Sequence, residues 1–185
     1  MKARDFDAAS VSILLIDSGA HSRTLLNGIL RGAGYSNIRS VETVAEGLEA
    51  IRMAPPQVIL VEWEVDGIDG ARFTKKLRNE GEGPARAIPV VIVTSQALRS
   101  AVETARTAGV SEYVIRPVSS QTLTSRLQEI VRNPRPFVDS LNYVGPCRRR
   151  RRNENYLGPF RRMTDPVEEF IDDPEEADKK QRLRQ

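Results

Sequence analysis

At 185 residues with 39% hydrophobic positions, the chain is long enough for one domain of ordinary size and an appendage, but too short for two full domains. Its formal net charge of +3 hides an uneven distribution: residues 1–132 carry 16 Lys and Arg against 15 Asp and Glu, residues 133–163 carry 8 against 2, and residues 164–185 carry 4 against 8. The single cysteine, Cys147, excludes an internal disulfide and has no partners for zinc, and the apolar run at 11–16 is too short for a membrane span, so a cytoplasmic protein without membrane attachment is expected.

In chain order, Val- and Ile-rich runs at 11–16, 38–41, 58–61, 88–93 and 113–115 read as strands buried in a parallel sheet. Between them apolar residues recur at helical spacing, with Leu25, Leu26, Ile29 and Leu30 over 22–32 and Val44, Leu48 and Ile51 over 43–53. Further helices are expected over 70–79, 97–108 and 119–132. Five strands alternating with five helices make an α/β domain over 10–132, a doubly wound five-stranded parallel sheet. Such sheets bind ligands beyond the carboxyl ends of their strands, where the strand order reverses, which brings Asp17, Glu62 and Thr94 to one crevice.

Asn133-Pro134-Arg135-Pro136 stops the fifth helix, because proline supplies no amide and clashes with the preceding turn. Residues 133–163 then read as an arm rich in Arg, Pro, Gly and Asn, too poor in aliphatic side chains to offset its ordering entropy. It is expected to stay disordered until a ligand arrives. The tail over 164–185 runs from acidic to basic, and 175–184 has helix-forming composition with charges that suit the helix dipole.

The arm holds one pattern twice, thirteen residues apart: Tyr143-Val144-Gly145-Pro146-Cys147-Arg148-Arg149 and Tyr156-Leu157-Gly158-Pro159-Phe160-Arg161-Arg162. Packing needs no such repetition, so the shared spacing suggests one recognition unit meeting two equivalent faces of a ligand. Gly-Pro sets a turn before each arginine pair, Tyr143 or Tyr156 offers a stacking platform, and the arginine fork matches both guanine O6/N7 and phosphate oxygens. Cyclic di-GMP, with two guanines and two phosphates related by symmetry, is a ligand of that kind. Arg150, Arg151 and Arg152 follow the first pair and read as additional phosphate or electrostatic contacts. The alternatives are a solvated basic linker and an RNA- or DNA-binding arm that contacts phosphates.

The domain resembles the response-regulator receiver family. Ile13-Leu14-Leu15-Ile16-Asp17 is similar to its first strand with the acidic end, and Val58-Ile59-Leu60-Val61-Glu62-Trp63 followed by Gly67, Asp69 and Gly70 to its phosphoacceptor strand and loop. Val90-Val91-Ile92-Val93-Thr94 is similar to the strand ending in the switch hydroxyl, and Tyr113-Val114-Ile115-Arg116-Pro117 to the segment with the switch aromatic and a basic residue before proline. Three positions depart from that pattern: Glu62 stands for the acceptor aspartate, Ser18 for the second metal-binding acid, and Arg116 for the lysine.

These departures imply a degenerate phosphoacceptor site. Losing one carboxylate weakens a Mg²⁺ site, and lengthening the nucleophile displaces it by about 1 Å, enough to cost ~10²-fold in rate. Arg116 is suited to hold Glu62 as a bidentate pair. Glu62 then reads as a constitutive imitation of the phosphorylated state, as an inert remnant, or as a residual acceptor. Thr94 and Tyr113 are the switch pair under the resemblance, with loop capping and packing as their alternatives. His21 lacks a neighbouring acid and nucleophile, and no enzyme activity is expected.

The arm is similar to that of the CheY-like cyclic di-GMP effectors, in which an arginine-rich extension follows a receiver fold and captures the dinucleotide. The paired Gly-Pro-x-Arg-Arg carries the likeness, with Cys147 and Phe160 where an acidic residue often stands. The resemblance implies a cofactor-free signalling adaptor that binds cyclic di-GMP and engages a protein partner, such as a flagellar motor-switch component or a histidine kinase.

Overall fold

The apolar runs become strands because both faces of the sheet are covered. In the computed structural model, which describes residues 6–148, β1 (Ile13–Ile16), β3 (Val58–Val61) and β6 (Val90–Thr94) are buried at every position. The partly exposed strands β2 (Ile38–Val41) and β7 (Glu112–Ile115) form the edges. All five run parallel in the order β2-β1-β3-β6-β7, so the order reverses at β1. Alternate residues serve opposite cores, as the two-residue period of a strand requires. Leu14, Ile16, Ile59, Val61 and Ile92 pack with α2 (Val44–Met53), α3 (Gly70–Glu80) and α4 (Arg99–Thr107), while Ile13, Leu15, Leu60, Val91 and Val93 pack with α1 (Ala20–Gly32) and α5 (Ser120–Arg132).

This is the doubly wound α/β architecture that the alternating strands and helices imply. Register decides what meets at its open end. Ile16 stands opposite both Val41 and Val61, so the next residues of β1 and β3, Asp17 and Glu62, leave the sheet side by side. A two-stranded element of β4 (Glu64–Val65) and β5 (Ile68–Asp69) then turns through Asp66 and Gly67, at φ 53° and 71°. Asp-Gly suits that mirror-image turn because both positions need positive φ. Asp69 closes it and accepts the Arg72 amide at 2.5 Å, starting α3.

Helix α5 ends at Arg132, where the prolines stop it, but the chain does not leave the domain there. Residues 137–148, expected as part of a loose arm, turn back as a hairpin of β8 (Phe137–Ser140) and β9 (Tyr143–Pro146) with Leu141 and Asn142 at its tip. Phe137 pairs with Pro146 and Ser140 with Tyr143, and Val138 and Tyr143 are buried.

The hairpin is held by polar and close-contact features of the domain rather than by aliphatic bulk. Arg78, at the end of α3, is 1% exposed. It donates to Gly109 O at 3.2 and 3.1 Å, to Ile88 O at 2.9 Å and to Arg86 O, and its guanidinium covers the Phe137 ring at 5.8 Å. Arg86 pairs with Asp139 at 2.9 Å. Gly145 lies against Gly109: a Cβ on Gly145 would stand 2.7 Å from Gly109 Cα, and one on Gly109 would stand 2.6 Å from Val144 O. The glycine of the first repeat thus has a packing role. Among the described residues no helix is long and apolar enough to cross a membrane.

Candidate functional site

Asp17 follows β1 and is 2% exposed. Its Oδ1 accepts the Gly19 amide at 2.8 Å, and its Oδ2 accepts the Ser22 hydroxyl. Arg23 braces the same turn, donating to Asp17 O at 2.7 Å and pairing with Glu42 at 2.5 Å. Glu62 follows β3, with Oε1 accepting the Trp63 amide at 2.8 Å and Oε2 accepting from Arg116. Both carboxylate oxygens of Glu62 are therefore engaged.

Arg116 enters from the end of β7, its amide bonded to Thr94 O at 2.7 Å. Its Nη2 donates to Glu62 Oε2, to Asp17 Oδ2 at 3.3 Å and to Val93 O at 3.0 Å. The expected two-nitrogen fork on Glu62 is not formed. One nitrogen reaches both carboxylates and the Val93 carbonyl, and Nε is left buried without a partner. Ser18 stands exposed at the rim, and His21 lines a shallow groove beside Ser120, away from the crevice.

Thr94 is buried, but its hydroxyl accepts the Gln96 amide at 3.1 Å, so it caps its own loop. The Tyr113 hydroxyl donates to Gln96 O at 2.8 Å, fixing that residue from the other side. The Tyr113 ring meets Trp63 edge-on at 6.0 Å and 64°. Burial pushes the Tyr113 phenol above its ordinary pKa, and the negative charge of Glu62 adds to the shift.

Of the arm residues expected to bind the ligand, Tyr143, Gly145, Pro146 and Arg148 are described. Gly145 and Pro146 were expected in a turn; they are buried in β9 instead, because Gly145 fits against Gly109. Tyr143 is buried too, its hydroxyl donating to Pro146 O at 2.7 Å, with the Arg148 guanidinium 4.5 Å over its ring. Burial raises the Tyr143 phenol pKa, opposed by the charges of Arg148, Arg135 and Arg78. Arg149, Arg150, Arg151, Arg152, Tyr156, Gly158, Pro159, Arg161 and Arg162 lie outside the described residues.

Sequence reasoning passed over Ser22, Arg78 and Arg135. Arg135 donates to Cys147 O at 3.1 Å and to Ser111 O, tying the hairpin to the start of β7. The available signal was positional: Arg78 follows Thr74 by one helical step on the face of α3 that also carries Leu77, and all three are buried.

The response regulator receiver domain family matches residues 13–128, over half of the chain. This chain belongs to the response-regulator receiver family. Chemotaxis protein CheY-3 of Vibrio cholerae is 25% identical over 121 residues, covering 65% of this chain and 92% of that protein. Chemotaxis protein CheY1 of Helicobacter pylori is 25% identical over 122 residues, covering 65% and 97%. Among solved structures, a putative response regulator from Chloroflexus aurantiacus superposes with a TM-score of 0.62 at 27% identity, over 66% of this chain and 98% of that one. The receiver domain of a sensor histidine kinase from Pseudomonas aeruginosa, solved with magnesium in its active-site cleft, superposes at 0.60 and 24% identity over 66% and 98%. Receiver domains are signalling modules.

Proposed function

We propose that this receiver signals without phosphoryl transfer, binding cyclic di-GMP through its arginine-rich C-terminal region and then engaging a protein partner. The observation that carries this reading is the Arg116 bridge: it holds the residue at the acceptor position, leaving the arginines of the duplicated Tyr-x-Gly-Pro-x-Arg-Arg as the groups with ligand-binding chemistry to spare.

The residues of the crevice do not suit magnesium. That ion demands near-octahedral oxygen ligands at about 2.0–2.1 Å. Here a guanidinium nitrogen stands between the two carboxylates, Ser18 brings no charge, and no three His, Cys, Asp or Glu side chains cluster for a metal among the described residues. Incubation with acetyl phosphate and Mg²⁺ is expected to leave the mass of the protein unchanged. A covalent adduct on Glu62 would restore the phosphorylation reading.

The repeat supports the ligand. Each copy presents an arginine pair at a fixed distance from Gly-Pro, and charge-assisted hydrogen bonds contribute about 1.5–3 kcal/mol each, enough for a small polyanion to order a basic segment. The candidate partners are a flagellar motor-switch component and a histidine kinase; the relatives are chemotaxis proteins. Calorimetry of the full chain is expected to show binding of cyclic di-GMP but not cyclic di-AMP. Changing Arg148, Arg149, Arg161 and Arg162 together to alanine raises the Kd at least ~30-fold. Equal affinity for both dinucleotides, or tight binding of long RNA with indifference to cyclic di-GMP, overturns the proposal.

A further inference from the structure

Strand β2 closes one edge of the sheet, paired to β1 on its inner side and to no described residue on its outer side. The carbonyls of Asn37 and Val41 accept the amides of Ile13 and Asp17. A parallel ladder uses alternate residues, so Arg39 also turns its backbone inward, while Ser40 directs both its amide and its carbonyl away from the sheet. Natural sheet edges are commonly blunted by proline, a bulge or a covering element. Here the strand is Ile38-Arg39-Ser40-Val41 in unbroken register, and it opens on a groove whose far wall is Ala45, Glu46 and Glu49 of α2.

Arg39 is exposed and has no hydrogen bond or ion pair with any described residue. Glu46 accepts the amides of Glu42 and Thr43 on one oxygen, Oε2, at 2.9 and 3.3 Å, which leaves its Oε1 to solvent. The two side chains line one groove without meeting. An open strand edge with a free guanidinium beside a free carboxylate oxygen is complementary to a second copy of itself. Two such strands related by a two-fold axis run antiparallel, and outward-turned residues must face outward-turned residues, so the possible registers differ by two. Centring on Arg39 opposes two guanidiniums, and like charges directly opposite destabilise a strand pair. Centring on Val41 carries the pairing past the end of the strand. Centring on Ser40 sets Arg39 of each copy opposite Val41 of the other, next to the wall that carries Glu46.

We propose that the protein self-associates through β2, joining two sheets edge to edge with Arg39 of each copy paired to Glu46 of the other. The two crevices then open at opposite ends of the joined sheet, and β7 with the hairpin tied to its start stays uncovered in both copies. The pairing needs no ligand, so its failure leaves the proposed function untouched.

Sedimentation equilibrium of the full chain without nucleotide, from micromolar to millimolar, is expected to show a monomer–dimer equilibrium. Glu46→Gln keeps the capping box and removes the charge, raising the dimer Kd about tenfold through the two symmetric pairs. Arg39→Glu sets carboxylate against carboxylate and leaves the chain monomeric, whereas Arg39→Glu combined with Glu46→Lys exchanges the signs and restores the dimer. Ser40→Pro removes the outward amide at a place where an edge strand tolerates proline, and it abolishes the dimer while circular dichroism shows the fold retained. A chain that stays monomeric throughout, or a dimer that Arg39→Glu and Ser40→Pro both leave intact, overturns the proposal.

Discussion

An Arg78→Ala variant unfolds in urea with a free energy about 3–5 kcal/mol below that of the parent chain. Arg78 is fully buried at the end of α3, and its partners are three backbone carbonyls, those of Gly109, Arg86 and Ile88, with no carboxylate among them. Desolvation pulls its pKa down to about 10, so it keeps its proton at neutral pH, and the carbonyl dipoles and the Phe137 face carry the burden of solvating that charge. Truncation leaves those carbonyls facing a cavity in addition to losing the side chain's packing. Arg78→Lys retains one donor group but cannot span Gly109 and Ile88 at once, and it recovers only part of the loss. Hydrogen exchange in β8 and β9 accelerates ahead of that in β1, because the hairpin loses its main anchor. A cost below about 1 kcal/mol in urea would show that water replaces the guanidinium, and the hairpin would need another explanation.

Arg116→Met costs about 3 kcal/mol of stability, and Arg116→Met combined with Glu62→Met costs less than the two single changes added together, by about 2 kcal/mol. Removing only the cation leaves two carboxylates facing each other across a crevice where the Asp17 side chain is 3% exposed and that of Glu62 18%. Removing the Glu62 charge as well relieves that repulsion, and the Gly19 amide and Ser22 hydroxyl still satisfy Asp17. Denaturant unfolding of the four proteins measures the coupling. Strict additivity would mean that Arg116 and Glu62 do not interact in solution, and the case for a receiver closed to phosphoryl transfer would lose its physical basis.

The strands were readable because three of them are buried on both faces, which leaves nothing but Val, Ile and Leu in β1 and β3. Helix α2 was legible from the helical spacing of Val44, Leu48 and Ile51, whereas the capping box that starts it, with Thr43 and Glu46 bonding each other's backbone amides, was passed over. Asp17 and Glu62 were legible as crevice residues because a parallel sheet delivers all its strand ends to one side. The single-nitrogen bridge of Arg116 was not, since it depends on where the Val93 carbonyl lies relative to two carboxylates from other strands. The hairpin over 137–146 was missed because the prolines and arginines around it dominate the composition of the segment. Its anchors, Gly109, Arg78 and Ser111, lie far away in the chain.

Periodicity and local chemistry alone settle that this chain builds a five-stranded parallel sheet, sets two acids at one end of it, and carries a doubled Tyr-x-Gly-Pro-x-Arg-Arg after it. Those features are written in neighbouring residues, and neighbours determine burial pattern, caps and turns. What Tyr143 and Gly145 do is decided only when the chain folds, because their surroundings come from α3, α4 and the start of β7. There the first copy of the repeat spends its tyrosine and glycine on packing and keeps its arginine at the surface, a division that no spacing rule contains, since it follows from backbone approaching backbone at Gly109.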